Sequence, residues 1–170
     1  MALDSRLAWR PADARDLDAL FEVHQASVRE LCAGAYSAQQ IQRWFEGREP
    51  QIYQPLLDSG TLAVAQVQDQ IVGFVGTRPG EVVSLFVAPA WAGQGLGREL
   101  LHRGMADAGR HHQGAITAVA TLNAVGFYAR HGFKRVDEGH FTRGADRLAY
   151  PVVEMAHPGA SVASLLPRCA

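Results

Sequence analysis

The chain has no apolar run near the ~18 residues that a membrane-crossing helix needs. Its first sixteen residues are too charged and too poor in apolar side chains for a secretory signal. Those absences lead to the expectation of a cytoplasmic protein with no membrane partner. Cysteine is scarce: Cys32 and Cys169 lie near opposite ends, match no metal or redox spacing, and are expected to be reduced thiols. Excess charge of one sign is also missing. A formal net charge of −1 gives no general attraction to nucleic acid, so any polyanion would have to be held locally. Repeats and linkers are absent, and His111-His112 has no third ligand at metal spacing, so no metal is expected.

Hydrophobic residues make up 48% of the 170 positions and charged residues 19%, which places the chain among globular proteins. A chain of this length buries ~70% of its unfolded surface without staples. One domain is expected over residues 1–156, followed by a patternless tail, 157–170.

The periodicity alternates between strand and helix. Leu7 to Arg10 form a short strand, and Asp13 with Asp16 opens a helix whose apolar stripe is Leu17, Leu20, Phe21, Val28 and Leu31. His24 falls on that stripe, either as a core histidine or as a substrate contact. Ser37 and Gln40 form a capping box for a second helix, and one or two helical turns follow around Pro55. Period-two segments at 62–67, 71–77 and 81–87 predict a three-strand meander. A helix is predicted over 96–108. Residues 115–120 have the apolar pattern of a strand buried on both faces in a parallel pair, joined by a right-handed crossover. Thr121 is expected to cap a short helix ending before Gly132. Residues 133–137 and 148–155 read as a closing hairpin, with Pro151 pointing to an edge or bulged last strand. The fold class is α/β (α+β): a mixed central sheet flanked by helices.

Residues 85–101, LFVAPAWAGQGLGRELL, carry the strongest chemical signal. A strand, a proline, three alternate glycines and a helix opening together make an anion site, because Gly93, Gly95 and Gly97 bare backbone N–H groups at the positive end of a helix dipole. Arg98 opposes that dipole unless an anion lies beside it. The run lacks the Gly-Lys-Ser/Thr of a P-loop. Its GxGxG spacing also differs from the GxGxxG of a dinucleotide site, Arg98 standing where the third glycine would be.

Leu85-Phe86-Val87-Ala88-Pro89, the turn from Gly93 to Arg98, and Phe127-Tyr128 followed by Gly132-Phe133 together resemble the GNAT superfamily of acyl-CoA-dependent N-acyltransferases. The resemblance implies a single GNAT domain whose parallel strands splay apart, with acetyl-CoA as cosubstrate. Backbone groups of Leu85, Phe86 and Val87 would pair with the pantetheine arm. N–H groups of Gly93, Gln94, Gly95, Leu96, Gly97 and Arg98 would cradle the pyrophosphate. Three departures stand out. Ala92 replaces the family's frequent Arg or Gln. Thr121 replaces its usual Asn, with Asn123 two positions on. The strand at 115–120 lacks the carboxylate that some members place there.

The resemblance implies an N-acetyltransferase acting by direct attack of a primary amine, from a small molecule or a peptide, on the thioester. Tyr128 matches the family's general acid, protonated at neutral pH with an ordinary pKa of ~10; without the surrounding motif it reads first as an aromatic packing residue at a helix end. Glu81 matches a base position of some members, or is a solvated carboxylate after the Pro79-Gly80 turn. His24, Tyr36, His140 and Arg143 are candidate acceptor contacts. A non-catalytic acetyl-CoA sensor or scaffold and a protein N-terminal acetyltransferase are the alternatives, and a homodimer is compatible with the family.

Overall fold

The structure, a computed structural model, describes residues 6–159. A seven-stranded mixed sheet forms its centre. Its strands are β1 (Leu7–Pro11), β2 (Leu62–Val67), β3 (Gln70–Arg78), β4 (Glu81–Val87), β5 (Ile116–Thr121), β6 (Lys134–Arg143) and β7 (Leu148–His157). They lie in the order β1-β2-β3-β4-β5-β7-β6. The helices are α1 (Leu17–Leu31), α2 (Ala38–Arg43), α3 (Gln54–Asp58), α4 (Leu96–Gly109) and α5 (Val125–Arg130), with short 3-10 turns between some of them.

Local chemistry accounts for the element starts. Asp13 and Asp16 form a reciprocal capping box ahead of α1, and Ser37 and Gln40 form another ahead of α2. Pro55 sits in the first turn of α3, where its missing N–H has no helical partner to lose. Gly104 lets α4 lie close on the sheet, since a Cβ there would stand 2.7 Å from a Val75 methyl. Helices cover both faces of β3, which is buried along almost its whole length. Leu96, Leu100 and Leu101 of α4 pack with β3, β4 and β5 in one cluster; Leu20 and Val23 of α1 pack with Val64 and Phe74 in another.

The central irregularity lies between β4 and β5. They are parallel, but pair only at Glu81↔Thr117 and Val82↔Ala118. On the other side of β4 the register with β3 shifts, with Gly76↔Ser84 followed by Thr77↔Val82, so Val83 is an extra residue. Such a bulge bends the strand and increases its twist. It falls where pairing to β5 stops, and it gives a physical cause for the splay.

Four sequence expectations are corrected. β5 is not buried on both faces: its residues alternate, and Val119 is 55% exposed because that face borders an open cleft. β7, which carries Pro151, is interior, and β6 is the edge strand. Pro151 fits there because β5 pairs with β7 only as far as Val152, so the missing N–H lies past the end of that ladder. The bulge of the closing hairpin is in β6, between Arg135 and Asp137. Thr121 precedes the helix as expected, but its side chain makes no capping hydrogen bond. The hairpin is also longer than its sequence pattern, and His157 belongs to β7. Of the expected tail, residues 160–170 lie outside the described residues.

Candidate active site

Splaying β4 from β5 leaves a gap through the sheet, and a cleft opens on each side of it. One, of about 420 Å³, is bordered by Leu85, Phe86, Val87, the glycine turn, Thr121, Asn123 and Phe127. The other, of about 340 Å³, is bordered by His24, Trp44, Tyr53, Ser84, Phe86, Val119 and Arg143. Phe86 and Thr121 border both clefts, so the two meet at the gap. A larger hollow of about 530 Å³ near Trp9 and Arg103 lies away from the gap. There Asp107 is already bonded by Thr77 and Arg110, and Arg103 by Glu99.

The first cleft is a donor-rich surface. Gly93 and Gly95 adopt φ of +73° and +91°, which strongly favour glycine, and a Cβ at either would meet nothing within 4 Å. Backbone conformation, not crowding, is therefore what requires glycine there. Gly95 is the N-cap of α4 and supplies no side-chain cap. The first helical bond runs from Glu99 N–H to the Gly95 carbonyl at 3.2 Å, so the N–H groups of Leu96, Gly97 and Arg98 are left without intrahelical partners. Beyond Val82, β4 pairs with β3 alone among the described residues, which bares its β5-facing edge at Leu85, Phe86 and Val87. Two cations, Arg98 from α4 and Arg130 from α5, border the same cleft.

Cys32 stands on its floor, 4% exposed, and its Sγ donates to Asn123 Oδ1 at 3.2 Å. Burial pushes the Cys32 thiol up to about 11, partly offset by its bonds to Thr121 and Asn123. At neutral pH it is a protonated thiol and a poor nucleophile.

The second cleft is aromatic and cationic. His24 stacks on Phe86 and meets the edge of Phe45, and its Nδ1 is 2.5 Å from the Tyr53 hydroxyl. Burial first, then the charges of Arg48 and Arg143, push His24 down to about 3, so the imidazole is neutral. Arg143 donates to the Trp44 carbonyl at 3.1 Å and lies over the Phe141 ring. Among the described residues, no Asp or Glu borders either cleft.

The sequence-predicted residues divide accordingly. Leu85, Phe86, Val87, Gly93, Gly95, Gly97, Arg98, Thr121 and Asn123 border the first cleft. Gln94 and Leu96 are not among the residues bordering it: the Gln94 amide donates back to the Ala90 carbonyl, and Leu96 is a core side chain. His24 and Arg143 border the second cleft. Tyr36 does not, since its hydroxyl donates to the Pro151 carbonyl at 2.7 Å and accepts from Leu122 N–H at 3.0 Å. His140 is exposed on β6, outside both clefts. Glu81 stands at the closed end of the V, about 16 Å along β4 from Phe86. Tyr128 is buried between Phe127 and Phe133 and borders neither cleft. Its hydroxyl has no hydrogen-bond partner among the described residues, yet it is not fully occluded.

Arg48, Arg78 and Tyr53 at the second cleft, and Arg130 and Cys32 at the first, escape sequence reasoning. Arg130 follows Tyr128 by two residues, which is the one local hint. The others arrive through packing of distant segments.

A family model for the acetyltransferase (GNAT) domain matches residues 32–150. The chain belongs to the GNAT acetyltransferase family. No curated protein sequence matches this GNAT chain. Among solved structures it is similar to a GCN5-related N-acetyltransferase from Rhodopseudomonas palustris, with TM-score 0.78 and 22% identity over 93% of this chain and 99% of that one. It is also similar to the PaiA N-acetyltransferase from Thermoplasma acidophilum in complex with coenzyme A, with TM-score 0.65 and 21% identity over 89% and 98%. A third is the ribosomal-protein-alanine N-acetyltransferase from Brucella melitensis, with TM-score 0.64 and 17% identity over 89% and 99%. At these identities the likeness speaks for the fold.

Proposed function

We propose that this GNAT protein transfers an acetyl group from acetyl-CoA to the primary amine of a small molecule or peptide, by direct attack within a ternary complex. The observation that carries the reading is the gap at Phe86 and Thr121, reached from one side by a donor-lined cleft and from the other by an aromatic one. Acetyl-CoA supplies the activated acyl group. The β4 edge offers backbone pairing to its amides, as an added strand would find, and the N–H groups from Gly93 to Arg98 suit a pyrophosphate. Ala92 brings no cation to that cradle. Arg130, across the cleft from α4, stands in for it.

Direct attack fits the state of Cys32, whose protonated thiol leaves no nucleophile for an acyl-enzyme. Tyr128 is the proposed acid. Burial raises its pKa above the usual tyrosine value, so it carries its proton throughout the neutral range. The same desolvation in the gap would raise a departing thiolate's affinity for that proton. The base role for Glu81 has no geometric support, and His24 is too weakly basic. With no carboxylate at either cleft, the amine proton leaves through water.

Tyr128 lies off the cleft linings, and this favours the reading of a non-catalytic acetyl-CoA sensor. Two measurements decide. Thermal denaturation should show stabilisation by acetyl-CoA and none by ATP or NAD; a ligand at a hundred times its Kd adds ~2.7 kcal/mol, or roughly 5–10 °C for a chain of this size. Amine-dependent thiol release should follow. Stabilisation without release across amino acids, peptides and polyamines would leave the sensor, and stabilisation by NAD or ATP instead would remove both readings.

A further inference from the structure

The cleft on the acceptor side holds cations without counterions. Arg48, Arg78 and Arg143 all border it, and no Asp or Glu among the described residues does. Several arginines elsewhere are matched: Arg10 with Asp16, Arg43 with Glu46 and Asp146, Arg103 with Glu99, Arg110 with Asp107. The Arg48 guanidinium has no ion pair or hydrogen bond among the described residues; only its backbone N–H is bonded, to the Phe45 carbonyl at 2.9 Å. Arg143 bonds only to the carbonyls of Trp44 and Thr142. The nearby acids Glu46 and Asp146 are held by Arg43 at 2.7 and 2.6 Å.

Arg48 and Arg143 are close enough to act on one another and on His24, which stacks against Phe86 at the gap. Two half-buried guanidiniums facing one cavity repel each other, and an oxyanion between them relieves the repulsion. Much of the remaining wall is apolar, with Trp44, Ile52, Val83, Val119 and Phe141, beside the hydroxyls of Ser84 and Thr121. At about 340 Å³ the cleft has the size of a small-molecule site.

Building on the acetyltransferase reading, we infer that the acceptor is a small amine with an oxyanion of its own, a carboxylate or a phosphonate, on an apolar body, as in a free amino acid with a large apolar side chain. Arg48 and Arg143 hold the oxyanion, the aromatic wall holds the body, and the amine faces the gap. Polyamines and aminoglycosides, cationic throughout, are repelled. A peptide N-terminus brings no anion to the same place.

The test uses matched sets: apolar and aromatic amino acids, each beside its primary amide, its decarboxylated amine and its aminophosphonate. Spermidine and an alanine-terminated tetrapeptide complete the panel. Binding is measured calorimetrically on the CoA-loaded full chain, and turnover by thiol release. A charge-assisted bond to a half-buried guanidinium predicts that the preferred carboxylate or phosphonate exceeds its amide and amine about ten- to a hundredfold. Comparing the two oxyanions identifies which one the site takes. Arg48→Gln removes no contact of the fold and should bring that preference to within about threefold while leaving stabilisation by acetyl-CoA intact. Arg143→Gln should do the same, and Arg48→Gln carries the test if Arg143→Gln weakens folding. Amides or amines matching every acid, spermidine or the tetrapeptide outperforming them, or a preference surviving in Arg48→Gln would overturn the inference. Loss of acetyl-CoA binding in the parent protein would instead remove the acetyltransferase reading beneath it.

Discussion

The imidazole of His24 lies face to face with the ring of Phe86, their centroids 3.7 Å apart and their planes 29° from parallel. Phe86 borders both clefts, so this pair forms part of the partition between the proposed cosubstrate and acceptor sides. A histidine on an apolar helix stripe thus proves to be core and cleft wall at once.

His24 should register as an acid-sensitive element of the fold. Its folded pKa, about 3, lies below the ordinary histidine value of 6.5. As pH falls below ~6.5 the unfolded chain takes up the extra proton, so stability is flat above that pH and declines towards about 3, by at most ~1.4 kcal/mol per unit and on the order of 5 kcal/mol over the range. Asp16, whose pKa Arg10 lowers, loses its contribution only below its ordinary 3.8, outside most of this window. Urea unfolding at pH 7, 5.5 and 4.5 should show a smaller decline in His24→Phe than in the parent. Equal declines would mean that another group carries the sensitivity.

Two tyrosines in one region should respond to the same substitution with opposite signs. Tyr36 bridges Leu122 N–H and the Pro151 carbonyl, tying the α1–α2 connection to β7 and the segment after β5. Tyr36→Phe strands both backbone groups and should lower stability by about 1–3 kcal/mol. The Tyr150 hydroxyl is buried with no partner. Tyr150→Phe removes an unmet donor and should be neutral or raise Tm by a degree or two. A destabilised Tyr150→Phe would point to an ordered water on that hydroxyl.

The cradle should depend on two cations from different helices. Arg98→Ala and Arg130→Ala each remove an exposed charge beside the N–H cluster of α4. Solvent screening limits each to about 1 kcal/mol, roughly fivefold in the Kd of acetyl-CoA, and the loss should shrink at high salt. Gly95→Ala forces a side chain to φ +91° and should cost about 1–2 kcal/mol of folding stability. An unchanged Kd in the double arginine variant would leave the backbone as sole holder of the phosphates.

Tyr128 and Glu81 should separate kinetically. Tyr128→Phe should lower kcat at least tenfold with little change in the Kd of acetyl-CoA, because general acid catalysis contributes roughly 10²–10⁴. A kcat within threefold of the parent would end the acid role. Glu81→Gln, at the closed end of the V, should leave the dependence of kcat/KM on pH superimposable on the parent's. A lost or shifted acidic limb would instead restore Glu81 as the base.

Much of the cosubstrate side was legible in the sequence because its chemistry is local. A strand, three alternate glycines and a helix start occupy one continuous stretch, and φ +73° and +91° at Gly93 and Gly95 are a property of that stretch alone. The capping boxes at Asp13 and Ser37, the meander and α4 are legible for the same reason: each depends on residues a few positions apart. The acceptor side was not. Val119 faces a cleft instead of a core because β4 bends away at Val83, and Pro151 is interior because β5 ends before reaching it. Tyr36 serves the backbone of two distant segments. Arg48 and Arg143, ninety-five positions apart, meet across one cavity without a carboxylate between them. Local hydrogen bonding and backbone conformation are written in short stretches of sequence, and they determined the glycine turn and the bare helix start to which the cosubstrate's phosphates are assigned in the proposal. Which charges share a cavity, which faces are open and which hydroxyls are already engaged depend on contacts closed over the whole chain, and only the tertiary structure decided them.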